Sequence, residues 1–228
     1  MIEEKIDEIL DALKNKAERI RVDDYHRTYL TACTNAVKVE GMWLEFGVYR
    51  GRSITTIAGN TDNMVYGFDC FEGLPEFWDR DNPKGVYSLG GNIPAGAIFG
   101  SNDDNPGMYD PSPTKTIRPW PWNVRLVQGL FEDSLPPFLD EHKEPAAFIN
   151  IDSDLYSSAK TVLESLEDRI QDGTIINFDE ISDYPAYREH EIKAFAEFLL
   201  KTGFDYECIY HQDLAQYNQG CFKIRKEV

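Results

Sequence analysis

The stretch Met42-Trp43-Leu44-Glu45-Phe46-Gly47-Val48-Tyr49-Arg50-Gly51 decides the fold. Its first five residues form a short apolar run holding a single acid. The run is bounded by glycine, and a helical pattern begins at about Ser53. That reads as a buried strand, a tight turn and a helix. Working outward, residues 64–68 predict a second strand ending at Asp69, and 124–127 a third. Residues 146–151 predict a fourth ending at Asp152, and 174–178 a fifth ending at Asp179. Helical spacing covers 2–21, 24–38, 157–170 and 188–202. Two last strands, near 204–211 and 219–225, lie close together and are expected to pair antiparallel at an edge. Strands alternating with helices predict an α/β, Rossmann-like, doubly wound sheet that is mostly parallel.

The whole chain, 1–228, reads as a single domain with two additions. Residues 1–38 form a helical N-terminal extension. Residues 71–122 form an irregular insertion with 7 of the 16 glycines, 8 of the 12 prolines and 3 of the 4 tryptophans. A long irregular segment inside a compact domain is commonly a functional lid. Its tryptophans argue against disorder, so a lid-like role is expected.

Charge narrows the function. There are 40 acidic and 23 basic residues, a net charge of −17. Such a chain repels phosphate backbones and anionic lipid, so neither nucleic acid nor a membrane is an expected partner. A small molecule or a metal cation fits better. The N-terminus is acidic and amphipathic, unlike a signal peptide. The four cysteines lack CxxC spacing. A cytoplasmic protein with reduced thiols is expected.

In open parallel sheets, ligands bind outside the carboxyl ends of the strands, where the strand order reverses. Here acids fall after four strands: Glu45, Asp69, Asp152 with Asp154, and Asp179 with Glu180. The turn has glycines at 47 and 51, a GxxxG spacing rather than the GxGxxG of dinucleotide sites. An acid just before the first glycine suits an ammonium and suits a pyrophosphate badly. Asp69 stands where a carboxylate accepts ribose hydroxyls. Together they point to S-adenosylmethionine. Glu45, Gly47, Tyr49, Gly51, Ser53 and Asp69 are candidate cofactor contacts. After the third strand, Glu132 or Asp133 is placed to accept from an adenine amino group, although Asp133 equally reads as a helix cap.

Asp152, Asp179 and Glu180 form a second cluster. Crowded carboxylates raise one another's pKa unless a cation lies between them. A divalent metal such as magnesium is the favoured solution. A solvated acidic rim, or a carboxyl pair sharing a proton, is the alternative. His190 is a reserve general base, although a lone helical histidine is commonly a surface residue.

These segments resemble class I S-adenosylmethionine-dependent methyltransferases, and more narrowly the macrocin O-methyltransferase family. The likeness is carried by 44–51, by Phe68-Asp-Cys-Phe-Glu-Gly-Leu-Pro75, by 124–136, by Asn150-Ile-Asp-Ser-Asp-Leu-Tyr156 and by Ile176-Asn-Phe-Asp-Glu180. The resemblance implies seven strands with a reversed C-terminal hairpin. It implies cofactor contacts at Glu45, Gly47, Gly51 and Asp69. It also implies magnesium on Asp152, Asp179 and Glu180, where a glutamate stands at a position the family usually fills with aspartate. Pairing of subunits through the N-terminal helices, in a homodimer or higher homo-oligomer, is implied as well.

The expected activity is methyl transfer from S-adenosylmethionine to a hydroxyl of a sugar or related small-molecule natural product. Magnesium assists, Asp152 takes the proton and His190 stands in reserve. Two alternatives stay open at this point. One is a metal-independent N- or O-methyltransferase. The other is a non-catalytic Rossmann-like binding protein.

Overall fold

The computed structural model describes residues 1–20, 25–79, 82–99, 115–212 and 217–226. In chain order the elements are α1 (Ile2–Asn15), β1 (Glu18–Arg19), α2 (Tyr25–Asn35), β2 (Met42–Phe46), α3 (Arg52–Ala58) and β3 (Val65–Asp69). Next come β4 (Ala97–Phe99), β5 (Thr116–Arg118), β6 (Val124–Gln128), α4 (Phe131–Glu141), β7 (Ala146–Ile151) and α5 (Tyr156–Ser165). The chain closes with β8 (Ile170–Ser182), a short 3-10 turn (Tyr187–Glu189), α6 (Glu191–Thr202), β9 (Asp205–Gln212) and β10 (Asn218–Arg225).

The main sheet has eight strands in the order β1-β9-β10-β8-β7-β2-β3-β6. Seven match the expected set, with β10 lying antiparallel between β8 and β9. The eighth is the two-residue β1, parallel to β9 at the edge. This shortens the helix expected over 2–21. After Asn15 the backbone turns to edge pairing, and the Ile20 N–H donates to the His211 carbonyl at 3.1 Å.

The central strands are apolar runs because both sheet faces are covered. Every residue of β2 and β7 is buried. Ile6 and Ile9 of α1, Leu135 of α4, Val162 of α5 and Phe195 of α6 pack on one face. Leu30 of α2 and Ile54 and Ile57 of α3 pack on the other. Helix α6 shows the logic locally. Ile192, Phe195, Ala196 and Leu199 are buried at helical spacing, and Gly203 ends the helix in the left-handed region at φ 69°.

From β2 the chain steps outward to β3 and β6, then returns to β7 and β8 on the other side. The order therefore reverses between β2 and β7. Their carboxyl ends flank the crevice where such sheets bind ligands.

Candidate active site

The turn after β2 is shaped by its own backbone. Gly47 has φ 93°, and a Cβ there would lie 1.7 Å from the Asp152 carbonyl oxygen. Gly51 has φ 76°, and its Cβ would meet the Trp120 ring at 2.3 Å. The room these glycines provide is thus taken first by the chain itself. Tyr49 also adopts a positive φ, 45°. This alternation aims two successive N–H groups inward, and the anion they meet is Asp69. Its Oδ2 accepts from Val48 N at 2.8 Å and Tyr49 N at 2.7 Å. Its Oδ1 accepts from Phe71 N at 2.6 Å.

A cavity of about 1040 Å³, counting its open mouth, occupies this crevice. Of the residues expected at a cofactor, Gly47, Tyr49, Ser53, Asp69 and Glu132 line it. Asp152 and Glu180 line it too, so both halves of the expected site share one space. The described part of the 71–122 insertion supplies a wall through Gly73, Leu74, Pro75 and Tyr87. Residues 80–81 and 100–114 of that insertion lie outside the described residues. Behind Tyr87, Trp78 packs on Tyr184 and Tyr217, with ring centroids 5.6 and 5.9 Å away.

Five expected residues stand elsewhere. Gly51 does not line the cavity, because the Trp120 ring packs against it. Glu45 is fully buried behind the turn and does not line the cavity. Its Oε1 accepts from Asn150 Nδ2 at 3.0 Å, and Asn150 Oδ1 accepts from Asn177 Nδ2 at 2.7 Å. This polar row crosses three neighbouring strands. Burial pushes the Glu45 carboxyl up to about 8, against the pull of hydrogen bonds from Ser53 and Asn150. Asp133 lies exposed in the first turn of α4, where its charge meets the helix N-terminus. Asp179 is buried, and its Oδ1 accepts from Gln219 Nε2. His190 sits at the N-cap of α6, 6.0 Å from the Tyr184 ring, and burial lowers its pKa.

The acids that converge are Asp152, Asp154 and Glu180, with one oxygen of each within 4.8 Å of the others. Asp154 takes the place expected of Asp179. Asp154 is buried in the left-handed region at φ 63°. Burial, then neighbouring charge, raises all three carboxyls, Asp154 to about 7. A hydrogen bond to Glu180 opposes the rise at Asp154. The Glu180 Oε2 atom is buried with no hydrogen-bond partner among the described residues. Three hard oxygen donors with one buried lone oxygen suit magnesium or calcium far better than a soft metal.

Sequence reasoning did not commit to Asp154, although it stands two residues past Asp152. It also missed Tyr87, which no local pattern marks, and the buried Glu191 beside the acids.

Comparison with known proteins bears on the family and the fold. The family described as macrocin-O-methyltransferase (TylF) matches residues 121–205. The chain resembles that family. A tetracenomycin 4'-O-methyltransferase acting on a dimethoxyrhamnosyl group, from Streptomyces olivaceus, is 27% identical over 166 residues, 66% of this chain. The match spans 58% of that relative's length. Among solved structures, the calicheamicin methyltransferase CalS11 has a TM-score of 0.60 at 21% identity, over 97% of this chain and 91% of that one. An O-methyltransferase from Bacillus cereus, in complex with SAH, has a TM-score of 0.54 at 16% identity, over 98% and 91%. At these identities the two structures establish the α/β, Rossmann-like fold alone.

Proposed function

We propose that the chain is an S-adenosylmethionine-dependent O-methyltransferase acting on a hydroxyl of a sugar or related small-molecule natural product. One observation carries the reading. The Gly47 turn with Asp69 and the Asp152–Asp154–Glu180 acids open into the same cavity at the reversal of strand order. The family resemblance supports the activity, and the rhamnose-modifying name of the Streptomyces relative supports a sugar acceptor.

Gly47, Tyr49 and Ser53 hold the cofactor's amino-acid end, and Asp69 holds its ribose. Asp69 already accepts three backbone N–H bonds, which fixes its carboxylate before any ligand arrives. Glu132 faces the cavity from α4 and is placed for the adenine. When bound, S-adenosylmethionine supplies a methyl group that is electrophilic by virtue of its sulfonium. Asp152, Asp154 and Glu180 would hold a divalent cation, which supplies acidification of a coordinated hydroxyl. Asp152 accepts the acceptor's proton. His190 does not line the cavity, so the base role rests on Asp152. Leu74, Pro75 and Tyr87 shield the site from water, as a lid would.

The Glu45 carboxyl is set apart from the cofactor. Its place is structural, holding Asn150 and the floor of the turn. Cytoplasmic location and self-association through the N-terminal helices belong to the same proposal. No helix among the described residues is long and apolar enough to cross a membrane.

The test is transfer of labelled methyl from S-adenosylmethionine to a panel of sugars and glycosides, with Asp152→Asn as the control. Transfer to a hydroxyl, lost in the variant, is expected. Transfer to amines alone would overturn the O-methyl assignment.

A further inference from the structure

We infer that Glu191 is a positioning residue for the acid cluster. The inference rests on the methyl-transfer reading above, with Asp152, Asp154 and Glu180 as the cation site. Glu191 is fully buried as the first residue of α6. Its Oε1 accepts from both the backbone N–H and the hydroxyl of Ser153, each at 3.2 Å. Its Oε2 is buried and makes no hydrogen bond among the described residues. Both of its hydrogen bonds therefore go to one residue, and that residue separates Asp152 from Asp154.

The segment it grips needs holding. Asp154 is a non-glycine residue at φ 63°, a conformation that costs about 1–3 kcal/mol and persists only where the surroundings impose it. The Leu155 N–H bonds back to the Ser153 carbonyl at 2.6 Å, so the turn is tight. Ser153 is itself buried, and its N–H and hydroxyl both point at the Glu191 carboxylate. Glu191 thus ties this turn to α6, whose Ile192, Phe195 and Leu199 are anchored in the core. A leucine would fill the same volume without the desolvation cost of a buried carboxyl, but it would leave the Ser153 N–H without its acceptor. The geometry is that of an outer residue orienting metal ligands. Glu191 hydrogen-bonds to none of the three acids and acts through Ser153.

Glu191→Leu, Glu191→Gln and Ser153→Ala test this, with manganese as the probe cation. Manganese affinity is read by calorimetry, S-adenosylmethionine affinity separately, and folding by thermal melts. In Glu191→Leu we expect manganese affinity to fall about 10- to 100-fold. Its S-adenosylmethionine affinity should stay at the wild-type level. In turnover, kcat should fall while KM for S-adenosylmethionine holds. Glu191→Gln keeps an oxygen that accepts both bonds and should restore manganese affinity to near wild type. Ser153→Ala removes one bond, so its manganese affinity should fall between the wild-type and Leu values. It also supplies the test if the Leu variant does not fold. Wild-type manganese affinity in a folded Glu191→Leu, or in Ser153→Ala where the Leu variant is unfolded, would overturn this inference and leave the methyl-transfer reading standing. A wild-type chain that binds neither S-adenosylmethionine nor manganese would overturn both.

Discussion

Asp69 and Tyr49 close the turn after β2: the Asp69 carboxylate accepts the Tyr49 backbone N–H at 2.7 Å. The neighbouring Val48 N–H reaches the same oxygen at 2.8 Å. In phosphate-binding turns such N–H groups face the ligand. Here they face a side chain, which leaves a carboxylate at the cavity wall instead of a bare anion hole. A cationic, ribose-bearing ligand suits that wall.

Asp69→Ala removes the acceptor of three backbone donors. Hydrogen bonds to a charged group are worth about 1.5–3 kcal/mol. We expect S-adenosylmethionine affinity to drop about 10-fold or more and the melting temperature to fall. Asp69→Asn keeps one acceptor oxygen and should lie between. Titration calorimetry with thermal melts decides it, and unchanged affinity in Asp69→Ala would exclude a cofactor role.

Gly47→Ala places a Cβ 1.7 Å from the Asp152 carbonyl oxygen at φ 93°. Either β2 or β7 must shift. A loss of about 3 kcal/mol is expected. Gly85 has φ 84° but nothing within 4 Å of a Cβ. Gly85→Ala should therefore cost only the backbone strain, about 1 kcal/mol. Urea denaturation of the two variants separates clash from strain.

Glu45 titrates near pH 8 in the folded chain against an ordinary 4.5. Folding therefore takes up a proton between those values. The contribution of this group to stability is complete below about pH 4.5 and is lost as pH rises toward 8. Glu45→Gln keeps an oxygen for Asn150 and removes that slope. The variant should match wild type near pH 5 and exceed it at pH 8 by a few kcal/mol, since each tenfold in proton affinity is worth about 1.4 kcal/mol. Denaturant melts across that range test the sign, and a wild-type advantage growing with pH would contradict it.

Asp154→Asn and Glu180→Gln should each weaken manganese binding about 10-fold or more, as loss of a direct ligand should weaken binding at least as much as loss of an outer partner. Asp179→Asn should weaken it less, because Asp179 bonds to Gln219 instead of joining the three converging oxygens. Calorimetric titration of the three variants ranks them. An Asp179→Asn effect larger than that of Asp154→Asn would restore Asp179 as the ligand.

The sheet was legible because its central strands are short, mostly apolar runs, each holding a single polar residue. Met42–Phe46 and Ala146–Ile151 are buried along their whole length, which no amphipathic helix can imitate. The acid cluster was legible only in part. Reading the fifth strand as 174–178, ending at Asp179, grouped Asp179 with Glu180 as one pair of acids. The strand runs on to Ser182, so successive side chains point to opposite faces. Asp179 turns toward Gln219 and Glu180 toward the cavity. The start of the same strand was also hidden. The helix expected over 157–170 took in its first residue, yet Ile170 pairs with Ala146 ahead of a register shift. Glu191 carried no local signal, since only the packing of α6 brings it to Ser153.

The most direct measurement is titration calorimetry of the chain with S-adenosylmethionine and, separately, with NAD. Saturable one-to-one binding of S-adenosylmethionine, weakened in Asp69→Ala, with no heat from NAD, is the expected result. Binding of NAD, or no binding of S-adenosylmethionine, would contradict it.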